Sequence, residues 1–243
     1  MKSFRRSGNS IQVKFLLVFL LGIRVHGGDL IDNTLQTGEN LFSETPMTVL
    51  ASGLAATASV FLLEDEIGYK GFLPGESFRC LDRADDLVFG PLLPAASAGL
   101  WVTGMLSGEH AMEETGEELC RGLLWTYGVT AVLKYSVRRQ RPDSGDNLSF
   151  PSAHAAGAAC TAAVLWSSHG SSAGIPAAAA ALYTCFSRVN MGRHFPSDVL
   201  MGAAIGTACG LAASIATGES DTNRDFSLGF SIDSGGRIFA TLW

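Results

Sequence analysis

Charge is scarce in this sequence. Only 16% of its 243 residues are Asp, Glu, Lys or Arg, against 47% apolar residues, and the formal net charge is −6. A broad basic face of the kind that binds a nucleic-acid backbone is excluded for the chain as a whole, so any cationic function must be focused in one place. The five cysteines, Cys80, Cys120, Cys160, Cys185 and Cys209, include no CxxC pair. Their odd number and apolar surroundings predict buried small hydrophobes, with one disulfide left open for an exported chain. No HxxxH spacing is present either, which removes the commonest helical metal signature. The N-terminal apolar run, 15–23, has nine residues, short of the roughly 20 that a membrane-crossing helix needs.

What precedes and follows that run gives it a meaning. Lys2, Arg5, Arg6 and Lys14 come before it, and the small residues around Gly27 come after it, which is the order of a secretory signal peptide. Residues 1–27 are therefore expected to be a signal peptide, with an uncleaved N-terminal anchor as the alternative, and the remainder is expected to be exported to the cell envelope. The length suits one core, so 28–220 is expected to form one helical domain. The 28 glycines and abundant alanines favour close helix packing or membrane contact. The apolar runs 122–133 and 155–166 have 12 residues each, too few for a span on their own. A soluble periplasmic bundle and a six-span membrane bundle both fit, and the composition favours membrane association.

The element pattern is all-α. After a polar, irregular stretch at 28–44, apolar segments at 47–63, 91–106, 119–133, 155–166, 175–186 and 199–216 are separated by Gly, Pro and charge, predicting a bundle of about six helices. The first of them closes on Glu64, Asp65 and Glu66. In 221–243, alternating apolar and small residues flank the turn signal Asp233, Ser234, Gly235, Gly236, predicting a short C-terminal β-hairpin docked on the helices.

Three polar islands interrupt the apolar second half. The first runs from Lys134 to Pro142, the second is Pro151-Ser152-Ala153-His154, and the third is Ser187 to Asp198. In a bundle with short connections, consecutive helices run antiparallel, so these three islands fall at one end. There Lys134, Arg141 and Arg188 supply cations, and the helix opening at Ser152 and Ala153 supplies backbone N–H dipoles, a combination suited to phosphate oxygens. His154 and His194 add groups that exchange protons near neutral pH. Asp198, four residues after His194 across the helix start at Pro196, is placed to fix the imidazole tautomer. Arg138, Arg139 and Arg193 raise the local potential without a spacing that assigns them a role. His26, His110 and His169 each stand alone. Cations around His154, His194 and Asp198 argue against a metal there.

These islands resemble the three-part signature of the type 2 phosphatidic acid phosphatase and vanadium haloperoxidase superfamily: Lys134-x6-Arg141-Pro142, Pro151-Ser152-Ala153-His154, and Ser187-Arg188-x5-His194-x3-Asp198. The resemblance implies that His194 is the nucleophile, forming a phosphohistidine. Asp198 would orient it, and His154 would protonate the leaving alkoxide. Lys134, Arg141, Arg188, Ser152 and the Ala153 N–H would hold the phosphate oxygens, without a metal. One position departs from the pattern: the family usually has glycine where this chain has Ala153, whose methyl narrows the approach and restricts the backbone.

The function expected on these grounds is a metal-independent phosphatase of the cell envelope, cofactor-free, acting on a phosphomonoester or diphosphate. The expected substrate is a phosphorylated lipid or another small phosphoester. The alternatives are a haloperoxidase carrying vanadate as cofactor and a catalytically idle anion-binding envelope protein. Substrate selectivity is expected in the loops before Lys134, such as 72–89.

Overall fold

The computed structural model describes residues 29–67, 92–143, 145–217, 228–232 and 238–242. The expected signal peptide at 1–27 and the loop at 72–89 lie outside the described residues. Seven helices are present among them: α1 Asp29–Asn40, α2 Glu44–Ile67, α3 Leu93–Ser107, α4 His110–Val137, α5 Ala153–His169, α6 Ser171–Asn190 and α7 Pro196–Ala216. Six of these grow from the six apolar segments; α4 extends furthest beyond its segment, to His110 and Val137, whereas α3 keeps almost the bounds of its own.

The seventh corrects the sequence reading. Residues 28–44 were expected to be irregular, yet α1 forms there, because its inner face is built from residues that carry little hydropathy signal. Leu30 and Thr37 are buried, and Gly38 lies against the Trp125 ring. Polar partners supply the rest: Trp125 Nε1 donates to the Thr34 carbonyl at 2.8 Å, and Asn33 donates to Glu117 at 3.1 Å. A helix held by tertiary hydrogen bonds needs no continuous apolar stripe.

The central helix is α7, which packs against α1, α2, α4, α5 and α6. Its seam with α5 is backbone against backbone. A methyl group at Gly202, Gly206 or Gly210 would stand 2.4, 1.9 or 2.6 Å from the carbonyl oxygens of Ser152, Ala156 and Cys160 respectively. Spacing of four residues puts these glycines on one face, the small-residue stripe that lets helices approach closely. The surrounding core is correspondingly small, with Ala155, Ala156, Cys160, Ala208, Cys209, Ala212 and Ala213 buried. Cys120, Cys160, Cys185 and Cys209 are free thiols, and all but Cys185 behave as the buried hydrophobes the sequence predicts; Cys80 lies outside the described residues.

Two helices, over Glu44–Glu64 and Pro196–Ala216, are long and apolar enough to cross a membrane, but they differ in burial: 11% of the α2 window is buried against 61% of the α7 window. Apolarity in α7 is explained by its central position, whereas α2 turns Leu54, Phe61, Leu62 and Leu63 outward. After the helices, β1 Leu228–Ile232 pairs antiparallel with β2 Ile238–Leu242, Leu228 opposite Leu242. The residues joining this ladder to α7 are outside those described.

Candidate active site

The three islands meet at one end of the bundle, and main-chain bonds tie them together. The Ser152 N–H donates to the Asp198 carbonyl at 2.9 Å, joining the first turns of α5 and α7. The Asp143 N–H donates to the Gly192 carbonyl at 3.1 Å, and the His194 N–H to the Arg188 carbonyl at 3.3 Å. Proximity inferred from antiparallel connectivity is thus realised by direct bonds.

His194 lies deep in this end, 2% exposed. Arg141 Nη1 stands 3.2 Å from its Nε2. A guanidinium has no acceptor, so Nε2 carries the lone pair and the ring proton resides on Nδ1. Burial pushes the imidazole down to about 4, with Arg141 and Lys134 adding to the shift and Asp198 opposing it, so the ring is neutral at neutral pH.

On the Nδ1 side the geometry is richer than the sequence suggested. Asp198 is fully buried, and its Oδ2 is 3.8 Å from Nδ1, longer than a hydrogen bond. The Ser149 hydroxyl stands beside both, donating to Asp198 Oδ2 at 2.5 Å and lying 3.5 Å from Nδ1. The Phe195 N–H also donates to Oδ2, at 2.9 Å. Ser149 was not singled out from the sequence; its place just before the second island is the only signal that pointed to it.

Lys134 and Arg141 lie beside this pair. Lys134, in the last turn of α4, donates through Nζ to the Leu148 carbonyl at 2.7 Å; burial first, then Arg141, pulls it down to about 8. Arg141 is steadied by Asp146, with Nε donating at 2.7 Å. Arg188, in the last turn of α6, is buried, and one of its Nη atoms reaches the Met191 sulfur at 3.3 Å. Ser152 is the N-cap of α5 and its hydroxyl accepts from the Ala155 N–H. Ala153 and His154 are the first two residues of that helix and are partly buried. Helix geometry leaves such opening N–H groups without intrahelical acceptors. Among described non-glycine residues only Arg138 has a positive φ, so alanine at 153 carries no backbone strain.

Of the residues left without a role, Arg193 forms a rim ion pair with Asp143 at 3.0 Å. Arg138 is the left-handed cap of α4 and donates to the Tyr135 carbonyl at 3.1 Å. Arg139 is different: it bonds Asp198 Oδ1 and Ser197 Oγ, both at 2.7 Å, and Glu64 at 2.6 Å. Neither Arg139 nor Glu64 was legible from spacing, since 75 residues separate them. His110 is exposed beside Glu113 and His169 pairs with Thr115 at 2.8 Å, both away from the islands. Among the described residues no group of three or more His, Cys, Asp or Glu side chains is placed to hold a metal ion.

Residues 118–220 match the model of the PAP2 superfamily. This segment is similar to the PAP2 superfamily. The PAP2 segment contains every site residue named from the three islands, whereas α1, α2 and α3 precede it. Among curated relatives, a decaprenylphosphoryl-5-phosphoribose phosphatase of Mycobacterium tuberculosis is 33% identical over 99 residues, covering 37% of this chain and 54% of that protein. A lipid A 1-phosphatase of Porphyromonas gingivalis is 36% identical over 162 residues, covering 65% of this chain and 35% of that protein. The chain thus spans about half the length of the first of these and about a third of the second. A solved structure, that of a transmembrane PAP2 type phosphatidylglycerolphosphate phosphatase from Bacillus subtilis, gives a TM-score of 0.41 at 21% identity, over 90% of this chain and 98% of that one.

Proposed function

We propose that the protein is a phosphoric ester hydrolase that acts on a phosphorylated lipid of the cell envelope through a phosphohistidine. The observation that carries this reading is the buried neutral imidazole of His194, with Nε2 facing the guanidinium of Arg141 at 3.2 Å. The arrangement presents a lone pair and an oxyanion donor at the same point, which phosphoryl transfer requires. The names of the curated relatives support the substrate class: both are phosphatases, one of a decaprenylphosphoryl compound and one of lipid A.

The steps follow from the residues. Nε2 of His194 forms a bond to phosphorus as the bond from phosphorus to the ester oxygen breaks, and the proton of His154 goes to that oxygen. The imidazole becomes cationic, and Asp198, with Ser149 beside it, stabilises the charge from the Nδ1 side. Lys134, Arg141 and Arg188, with Ser152 and the Ala153 N–H, hold the equatorial oxygens, a role that side-chain cations fill here without a metal. Water then attacks phosphorus, His154 takes its proton, the N–P bond breaks, and inorganic phosphate leaves.

The proposal includes place and organisation. Residues 1–27 serve as a signal peptide, 28–220 form the catalytic helical domain, and 221–243 form a hairpin extension. The outward apolar surface of α2, only 11% buried over its window, supports membrane association, because such a face in water would expose an apolar patch of unusual size. Phosphate release from p-nitrophenyl phosphate and from a lipid phosphate, without added metal and lost in His194→Ala, tests the chemistry. Retention of wild-type turnover by that variant would overturn it. Carbonate extraction of the membrane fraction tests the location: a peripheral protein washes off, an integral one stays.

A further inference from the structure

The polar connection of longest reach in the site leads out of the PAP2 segment and into α2. Glu64, 6% exposed near the end of that helix, holds two groups of the opposite side. Its Oε2 accepts from Arg139 at 2.6 Å, and its Oε1 accepts from the Ser197 N–H at 2.7 Å, in the first turn of α7. Arg139 then reaches Ser197 Oγ and Asp198 Oδ1 with its other nitrogen. Its guanidinium carbon lies 4.0 Å from the centre of the Phe195 ring and 5.0 Å from that of Phe61. A guanidinium packed by aromatic rings and bonded to two carboxylates has no freedom to turn.

We infer that Glu64 and Arg139 are positioning residues for phosphoryl transfer: through Arg139, α2 fixes the carboxylate of Asp198 in the orientation that His194 requires. Asp198 Oδ1 is bonded by Arg139, and Oδ2 by Ser149 and Phe195, so every rotation of the carboxylate breaks a bond. Charge adds a second role. With Arg139 alone, the negative charge of Asp198 would be largely neutralised; Glu64 supplies the second anion, leaving Asp198 to answer the positive charge that develops on the His194 ring as the N–P bond forms. The other charged groups that act on that ring are Lys134 of α4 and Arg141 of the following connection. Neither comes from α2; Glu64 acts on Asp198 through Arg139 and through the Ser197 N–H.

This inference rests on the phosphohistidine reading, and the experiment separates the two. In the full chain, purified in detergent and assayed on p-nitrophenyl phosphate, Glu64→Gln is expected to lower kcat about ten-fold, the scale of one charge-assisted bond. KM should stay within about two-fold, because Glu64 makes no phosphate contact. Arg139→Lys, which keeps the charge but cannot bridge both carboxylates, should do the same. The double variant should lose no more than the worse single one, because the pair acts as a unit. The His194 ring, followed by nitrogen NMR, should titrate at lower pH in Glu64→Gln, since an anion has been removed. Unchanged kcat in Glu64→Gln, a rise in KM alone, or losses that multiply in the double variant would overturn the inference. If Glu64→Gln does not fold, unchanged kcat in Arg139→Lys overturns it instead. If the wild type releases no phosphate, the phosphatase reading fails on its own, and the NMR titration decides the positioning: a shift in either variant supports it, no shift in both refutes it.

Discussion

Arg141 Nη1 and His194 Nε2 face each other at 3.2 Å, so the atom proposed to attack phosphorus is already hydrogen-bonded to a group that would receive a phosphate oxygen. Substrate must draw that N–H from nitrogen to oxygen. The same movement that binds the phosphate therefore frees the lone pair.

Activity should have two pH limits. His194 must be neutral to attack, and its imidazole is pushed down to about 4, so activity is lost as pH falls through that region. Lys134 must be protonated to hold an oxygen, and it is pulled down to about 8, so activity is lost as pH rises through that region. The profile of kcat/KM, corrected for the substrate's own ionisation, should fall off beyond both of these limits. Lys134→Arg should extend the alkaline side upward, because a guanidinium does not titrate there.

Ser149→Ala should reduce kcat and stability together. The variant removes a group that is bonded to Asp198 Oδ2 and also approaches His194 Nδ1. Losing a hydrogen bond to a buried carboxylate costs about 1–3 kcal/mol, readable as a lower thermal midpoint. The expected fall in kcat is roughly ten-fold or more by the same scale.

Ala153→Gly should widen substrate choice without disturbing the fold. Position 153 has helical backbone with no positive φ, so alanine is there for space and not for conformation. The ratio of turnover on a bulky lipid phosphate to that on p-nitrophenyl phosphate should rise in the glycine variant. An unchanged ratio would show that the methyl group does not limit approach.

Along the α5–α7 seam, Gly206→Ala should be strongly destabilising, because its methyl would meet the Ala156 carbonyl at 1.9 Å, and overpacking of this kind costs about 1–3 kcal/mol or more. Gly128→Ala makes the control. It lies within α4 with nothing within 4 Å of a new methyl, so it should be neutral or stabilising by up to about 1 kcal/mol. Thermal unfolding of the two variants measures the contrast.

Much of this site was legible because its parts are local. Lys134 with Arg141, Ser152 with His154, and Arg188 with His194 and Asp198 each lie within a dozen residues, and short helical connections bring such islands to one end. What escaped is what depends on distance. Glu64 reads in sequence only as the acid that ends an apolar run, and Arg139 as one of several adjacent arginines; their pairing is created by the packing of α2 on α7. Helix α1 escaped for a different reason: its inner face of Leu30, Thr37 and Gly38 is held by size and hydrogen bonds, which leave no mark on hydropathy.

The glycine seam has a consequence for motion. Because α5 and α7 meet main chain to main chain at Gly202, Gly206 and Gly210, the interval between their first turns does not depend on any rotamer. His154 opens one of these helices and His194 precedes the other, so the proposed proton donor and the proposed nucleophile share a rigid plinth. Among the described residues, the opposite wall is the one where the connection before α5 meets the turn after α6. That wall is latched by the Asp143–Gly192 bond and the Arg193–Asp143 ion pair, the latter at the rim, where water can compete for it.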